Sequence, residues 1–347
     1  MNRIDVSYIA ARVVELCRIA SPTGYTDDAI AYVEAEFTRL GVETRRTRKG
    51  ALLATLPGKD KQGQRTLAAH VDTLGAMVKE IKDSGRLKLT RVGGYSFQTI
   101  EGEHVRVHTL DGRTITGTVL VNKASTHVHG PEHEKQERVE QNMEVRLDEK
   151  VKNADDVAAV GIQVGDFISL DARATLTDSG FIKSRHLDDK ACVGVLLGLA
   201  KAIREERIEL AATTHFFISN YEEVGHGAAG AIPPETMELI AMDMAAVGEG
   251  QTSDEYSVTI CVKDSSGPYD LELSRRLQYL ASDQGIPYKV DIYPFYGSDA
   301  SAALRAGGQF KAALVGPGID ASHSYERCHV DSLEATAWLM LEYLERA

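Results

Sequence analysis

His70, Asp188, Glu222, Glu223, Asp243 and His323 are the side chains of this sequence best suited to metal-assisted chemistry. Glu222 and Glu223 follow an apolar, β-branched and aromatic run from Thr213 to Tyr221, which reads as a buried strand of a mostly parallel sheet. In open α/β sheets the ligand crevice lies beyond the carboxyl ends of such strands. Adjacent carboxylates repel unless a cation or a proton intervenes, so one is expected to bind metal while the other handles a proton. Taken alone, the pair also fits a solvated loop. His70 and Asp72 stand two apart and face the same way on an extended segment. That suits an imidazole that ligates metal through one nitrogen and gives its other N–H to a carboxylate, although a structural histidine is the alternative. Asp188 lies between the strand Gly180-Phe181-Ile182 and a helix, beside Asp189, which is placed to cap that helix. Asp243 ends the run Leu239 to Met242, and His323 follows the last core strand, Phe310 to Val315.

The joint placement of these residues is the signal, because each falls just after a predicted strand of one sheet. Imidazole and carboxylate ligands of this kind are preferred by zinc, cobalt or manganese. Three ligand carboxylates crowded together repel, whereas two divalent ions outweigh them and leave room for a bound hydroxide. A dinuclear site activates water and polarises a carbonyl at neutral pH.

The elements that must position these residues follow from periodicity. Ile9, Val13, Leu16 and Ala20 mark a helix over Val6 to Ala20, and Ile30, Val33, Phe37 and Leu40 mark a second, with Thr26 as its cap. Val42 to Arg48 and Ala51 to Leu56 read as a hairpin. Short alternating segments then follow: Met77 to Ile81, Leu87 to Val92, Val105 to His108, Ile115 to Val121 and Phe167 to Leu170. They predict a small all-β domain over residues 75–171, spliced between two halves of an α/β domain, 1–74 and 172–347. The polar stretch Asn122 to Lys150 within it holds His127, His129 and His133 among mixed charges, and reads as a solvated loop. In the second half, helices are expected after Asp188, over Leu271 to Gln284 and from Ser298-Asp299, and a final one is expected to be capped by Asp331 with Glu334.

The chain has 347 residues, enough for two domains. Its net charge of −12, from 39 Lys and Arg against 51 Asp and Glu, argues against non-specific nucleic-acid or anionic-membrane binding. Cys17, Cys192, Cys261 and Cys328 are scattered, so neither a disulfide framework nor a cysteine zinc site is indicated, and a reducing cytoplasm fits. Met1 to Asp5 holds no apolar signal core, and the longest apolar run, Ala191 to Ala200, is too short to span a membrane.

His70-Val71-Asp72, Leu187-Asp188-Asp189-Lys190, Glu222-Glu223-Val224-Gly225, Met242-Asp243, Gly297-Ser298-Asp299-Ala300 and Ser322-His323-Ser324 appear in an order that resembles the tetrahedral aminopeptidases, also described as glutamyl or deblocking aminopeptidases. The resemblance covers essentially the full length. It implies a zinc-peptidase-like α/β domain, with a mixed, largely parallel sheet flanked by helices and an inserted β-barrel-like domain used for oligomerisation. It also implies a bridging role for Asp188, with His70 and Asp243 completing one ion and Glu223 and His323 the other. Glu222 is then the general base, taking a proton from a bridging water and passing it to the leaving amine, and Asp72 orients His70. A cis peptide between Asp188 and Asp189 is implied as well. So are homo-oligomers from dimers up to dodecamers. The long Asn122 to Lys150 loop and an added His329 depart from the family pattern, and His226 reads as a local hydrogen-bonding residue.

The function expected is a cytoplasmic, metal-dependent aminopeptidase acting on short peptides, with two ions of zinc, cobalt or manganese per subunit. The same chemistry on a specialised peptide or an N-acylated amino acid amide is the alternative. A glycoside hydrolase with paired carboxylates has no need of His70 or His323, and the chain has a single Trp to stack sugars. A scaffold without chemistry is disfavoured by the full set of ligands and base.

Overall fold

A computed structural model of the chain describes residues 3–346. Met1 and Asn2, part of the stretch read as lacking an apolar signal core, lie outside them. The chain divides into two compact units, residues 1–72 with 173–347, and residues 73–172.

The first unit is built on a mixed sheet. At its centre the strands Leu210–Ser219, Gly58–His70, Thr236–Met242 and Lys311–Asp320 run parallel in that order. Register places Ser219 beside His70, Ala241 beside Ala68 and Met242 beside Val315. All four strands therefore finish at one edge. The long strand Gly58–His70 shows why: its first residues are exposed, while Arg65 to His70 are buried, so only its carboxyl half lies in the apolar interior. Antiparallel strands close the margins, with the hairpin Glu43–Arg46 and Leu52–Leu56 on one side and Glu326–His329, Phe181–Ser184 and Thr175–Leu176 on the other.

Helices Val6–Arg18, Asp27–Arg39, Leu187–Glu205, Leu271–Gln284, Asp299–Arg305 and Val330–Glu345 flank this sheet. The helix Leu187–Glu205 is buried along almost its whole length. It approaches Val6–Arg18 closely because Gly194 and Gly198 face it; a Cβ at Gly198 would lie 2.3 Å from Ile9 Cγ1 and one at Gly194 2.4 Å from Val13 Cγ2. No helix among the described residues is long and apolar enough to cross a membrane.

The second unit is a closed antiparallel barrel, ordered Gly75–Ile81, Leu87–Val92, Met143–Leu147, Thr114–Val121, His104–His108 and Phe167–Leu170. Alternation along Thr114–Val121 puts Ile115, Gly117, Val119 and Val121 inside. Ile115, Val119 and Val121 meet Leu87, Leu89, Val105, Val107, Val145 and Ile168 in one aliphatic core.

Several local expectations differ from what is found. The polar stretch read as a loop contains the barrel strand Met143–Leu147, whose alternating Met143, Val145 and Leu147 were outweighed by the charges around them. Its remainder forms short helical turns at Thr126–His129 and Pro131–Lys135. Thr26 makes no side-chain cap. The last helix is capped by His329, whose Nδ1 accepts from the Asp331 amide, so Asp331 lies within the first turn. The strand Val258–Asp264, which pairs with Lys311–Asp320, has no counterpart in the periodicity reading.

Candidate active site

The parallel strand ends bring together residues that are scattered along the chain. His70 is the last residue of its strand, Asp243 directly follows Met242, and Glu222 and Glu223 occupy a single 3₁₀ turn after Ser219. Asp188 is the second residue of the long helix and has non-helical backbone angles, and its peptide bond to Asp189 is cis, as the resemblance implies. His323 follows the strand Lys311–Asp320 in the left-handed region, at φ 62°. Gly316 lets that strand run against Asp243: a Cβ there would come within 1.7 Å of the Asp243 carbonyl oxygen.

One carboxylate lies between the two imidazoles. His70 Nε2 is 3.2 Å from Asp188 Oδ1, and His323 Nε2 is 3.2 Å from Asp188 Oδ2. Glu222 Oε2 lies 3.8 Å from His70 Nε2, and Glu223 Oε2 lies 3.7 Å from His323 Nε2. Ligand atoms of His70, Asp188 and Asp243 lie within 4.8 Å of one another, as do those of Asp188, Glu223 and His323. The first set is buried; the second is more open, with the His323 side chain 38 % exposed.

A further group of buried residues fixes the loops. Asp72 accepts the amides of Glu222 at 3.1 Å and Glu223 at 3.2 Å, and the Thr23 hydroxyl at 2.7 Å. His70 Nδ1 lies 2.9 Å from the Asp72 carbonyl oxygen and 3.5 Å from its carboxylate, so the main chain of Asp72 is the nearer acceptor. Asp189, expected to cap the helix, instead accepts the His70 amide at 3.2 Å. Asp299 accepts from Ser219 at 2.5 Å and from the Ala228 amide at 2.8 Å, which anchors both ends of the Glu222 turn. Glu326 accepts the amides of Asp188 and His323.

The sequence reading passed over Glu326 and saw Asp299 only as a helix-start acid. Their chemistry is set by partners in space, and nothing local in the chain announces it. His226 stacks on Tyr221 at 5.0 Å, with Lys49 beside both.

Crowding shows in the proton affinities. Burial, with Asp243, Asp299 and Glu223 nearby, pushes Glu222 well above the usual carboxylate range. Burial and Asp188 do the same to Glu223 and bring Asp243 up to about 8. Burial works against charge on Asp188 too, but the close imidazoles of His323 and His70 win and hold it below the usual range. Burial opposes a proton on His70, yet Asp188 and Asp72 keep its affinity well above an ordinary imidazole's. Among the described residues, no Lys or Arg forms an ion pair with Asp188, Glu222, Glu223 or Asp243.

A pair of divalent cations fits this donor set. His70 Nε2 and Glu223 Oε1 are buried without a hydrogen bond, and the 3.2 Å approach of His70 Nε2 to Asp188 lacks hydrogen-bond geometry. Buried polar atoms are rarely left so, and here they are imidazole and carboxylate donors converging on common points, the ligand type of zinc, cobalt and manganese.

Known proteins share both sequence and fold with this chain. The M42 glutamyl aminopeptidase family matches residues 50–339. The protein named "Putative aminopeptidase YhfE" from Bacillus subtilis (strain 168) is 54% identical over 333 residues, 96% of each chain. Among solved structures, a TET aminopeptidase from the marine sediment archaeon Thaumarchaeota archaeon SCGC AB-539-E09 superposes with a TM-score of 0.88 at 19% identity, covering 99% of this chain and 97% of that one. The Pyrococcus horikoshii TET1 peptidase, described as assembling into a tetrahedron or a large octahedral shell, gives 0.85 at 20% identity, covering 98% and 100%. Matched over most of its length and identical to one relative at more than half of the aligned positions, the chain belongs to the M42 glutamyl aminopeptidase family of peptide hydrolases.

Proposed function

We propose that the protein is a dinuclear metallo-aminopeptidase that removes N-terminal residues from short peptides. Asp188, His70 and Asp243 would hold one ion at an inner site, and Asp188, Glu223 and His323 would hold a second at an outer one. The observation that carries this reading is the single Asp188 carboxylate flanked by two imidazoles at 3.2 Å each. Zinc, cobalt or manganese bound there supplies Lewis acidity and lowers the pKa of water. Glu222, whose Oε2 lies 3.8 Å from His70 Nε2, is the carboxylate of this cluster that neither ligand set uses, which leaves it to act as the general base. It takes the proton of the attacking water and delivers it to the nitrogen of the leaving amine. Asp72 holds Glu222 in place through its amide and keeps the His70 ring oriented through Nδ1. Paired-carboxylate sugar hydrolysis leaves both imidazoles without a task.

The barrel unit is proposed to carry assembly contacts in homo-oligomers, from dimers up to dodecamers; Leu110 and Val164, 84% and 61% exposed, are apolar side chains it leaves uncovered. The four cysteines are buried and free, which suits a reducing cytoplasm. Replacing Glu222 with Gln tests the assignment. Turnover of short peptides is expected to fall about 100- to 10,000-fold while metal content stays at two ions per chain, and near-normal turnover would rule Glu222 out as the base.

A further inference from the structure

The outer site draws its ligands from segments far apart in the chain, and one buried carboxylate ties two of them together. Glu326 opens the strand Glu326–His329 and is 2% exposed. Its Oε2 accepts the amide N–H of Asp188 at 3.1 Å, and its Oε1 accepts that of His323 at 3.0 Å. The sheet does not fix these amides. Strand pairing between Phe181–Ser184 and Glu326–His329 ends at Ser184 opposite Glu326. Beyond it the chain leaves the ladder, with His186, Ala321 and His323 all at positive φ. The lengths of chain that set the Asp188 and His323 side chains are therefore irregular, and the Glu326 carboxylate is an acceptor they share.

A carboxylate suits this task in a way that an amide does not. Each of the two N–H donors here has its own oxygen, Oε2 for Asp188 and Oε1 for His323, whereas glutamine offers one oxygen and one NH₂ group. An NH₂ set against a main-chain N–H is a donor facing a donor, so one of the two amides loses its partner.

We propose that Glu326 is a positioning residue that sets the separation of Asp188 and His323, and with it the geometry of the outer metal site. This rests on the dinuclear reading above. Glu326 touches neither substrate nor metal in this arrangement and acts only through the two amides. Residues of this kind typically change metal affinity or activity by about 10- to 100-fold.

The test is a titration of metal-stripped protein with Co²⁺, following visible absorption, for the wild type, Glu326→Gln and Arg327→Ala. Arg327 is the control because it lies on the same strand but turns away, pairing with Glu255 and covering Phe181. The wild type should take up two ions. In Glu326→Gln the outer ion should bind about 10- to 100-fold more weakly with an altered spectrum, and kcat should fall by a similar factor at unchanged KM. Arg327→Ala should match the wild type. Unchanged affinity and spectrum in Glu326→Gln would overturn the proposal, and so would an equal loss in Arg327→Ala, which would mean general loosening of the strand. Should Glu326→Gln not fold, Glu326→Asp, one methylene too short to reach both amides, is read by the same criteria. A wild type that binds no ion would instead refute the dinuclear reading itself.

Discussion

The strand Thr236–Met242 carries one carboxylate near its start and is followed directly by another, and the two are treated differently. At the start, Glu238 faces Arg65 at 3.4 Å, touches Arg276, and accepts from the Tyr343 hydroxyl at 2.7 Å. After the end, Asp243 has the Met244 amide at 2.7 Å, the imidazole of His70 nearby, and no Lys or Arg among the described residues. Its proton affinity rises accordingly, to about 8. The barrel follows the first pattern: buried Glu144 is paired with Lys82 at 2.7 Å and Arg86 at 3.1 Å. Glu238 and Glu144 are balanced by cations of the protein's own, and buried acids such as Asp264 and Asp291 are instead held by several N–H and O–H donors. At the carboxyl edge of the sheet Asp188, Glu222, Glu223 and Asp243 crowd together with no Lys or Arg paired to any of them among the described residues and with ligand atoms converging, which is why we assign that charge balance to metal.

The sharpest break between the two ends should come from Asp243→Asn. Turnover should fall at least about 100-fold and metal content should drop by one ion. Stripped of metal, the variant should unfold at the same denaturant concentration as the wild type or higher, since a carboxylate that burial disfavours has been removed. An Asp243→Asn protein with full metal content and turnover would erase the distinction between the two ends.

Glu238→Gln should behave in the opposite way. It removes the charge facing Arg65 and Arg276 and should cost about 2 kcal/mol in chemical denaturation, equally with and without metal, while kcat per folded molecule is kept. A loss of metal affinity in this variant would show that the two ends are not independent.

Asp299 gives the smallest and most specific effect. Burial raises its proton affinity, and Asp72 adds to this. A carboxyl whose folded pKa exceeds the unfolded value of about 3.9 contributes stability that is complete below that value and is lost as pH rises through the folded pKa. Asn can still accept from the Ala228 amide and donate to Ser219. Stability curves of Asp299→Asn and wild type should therefore diverge above about pH 4, with the variant gaining on the wild type. Parallel curves would mean that Asp299 is not held under strain of charge.

Much of this was legible in the chain. Each candidate ligand stands just after a β-branched or apolar run, and parallel strands have to finish at a common edge, so His70, Asp188, Glu222, Glu223, Asp243 and His323 could be placed at one edge from patterning and motif order. The strand Met143–Leu147 was hidden because Glu144 and Arg146 alternate with its apolar residues inside a charged stretch. Val258-Thr259-Ile260-Cys261-Val262 carried a readable β-branched signal that the reading passed over. The loop-holding roles of Asp189, Asp299 and Glu326 were beyond reach, because an acid that accepts main-chain amides has no periodicity of its own. Capping by His329 in place of Asp331 was hidden for a similar reason: it depends on which ring nitrogen faces the helix, and Nε2 lies against the Ser179 carbonyl at 2.9 Å.

Elemental analysis of the purified protein, paired with calorimetric titration of the metal-stripped form, tests the central claim most directly. Two divalent ions per chain are expected, with peptide turnover vanishing on chelation and returning as the second ion is restored. Full turnover in a preparation with no bound metal, or a stripped protein that takes up no ion at millimolar Zn²⁺, Co²⁺ or Mn²⁺, would contradict it.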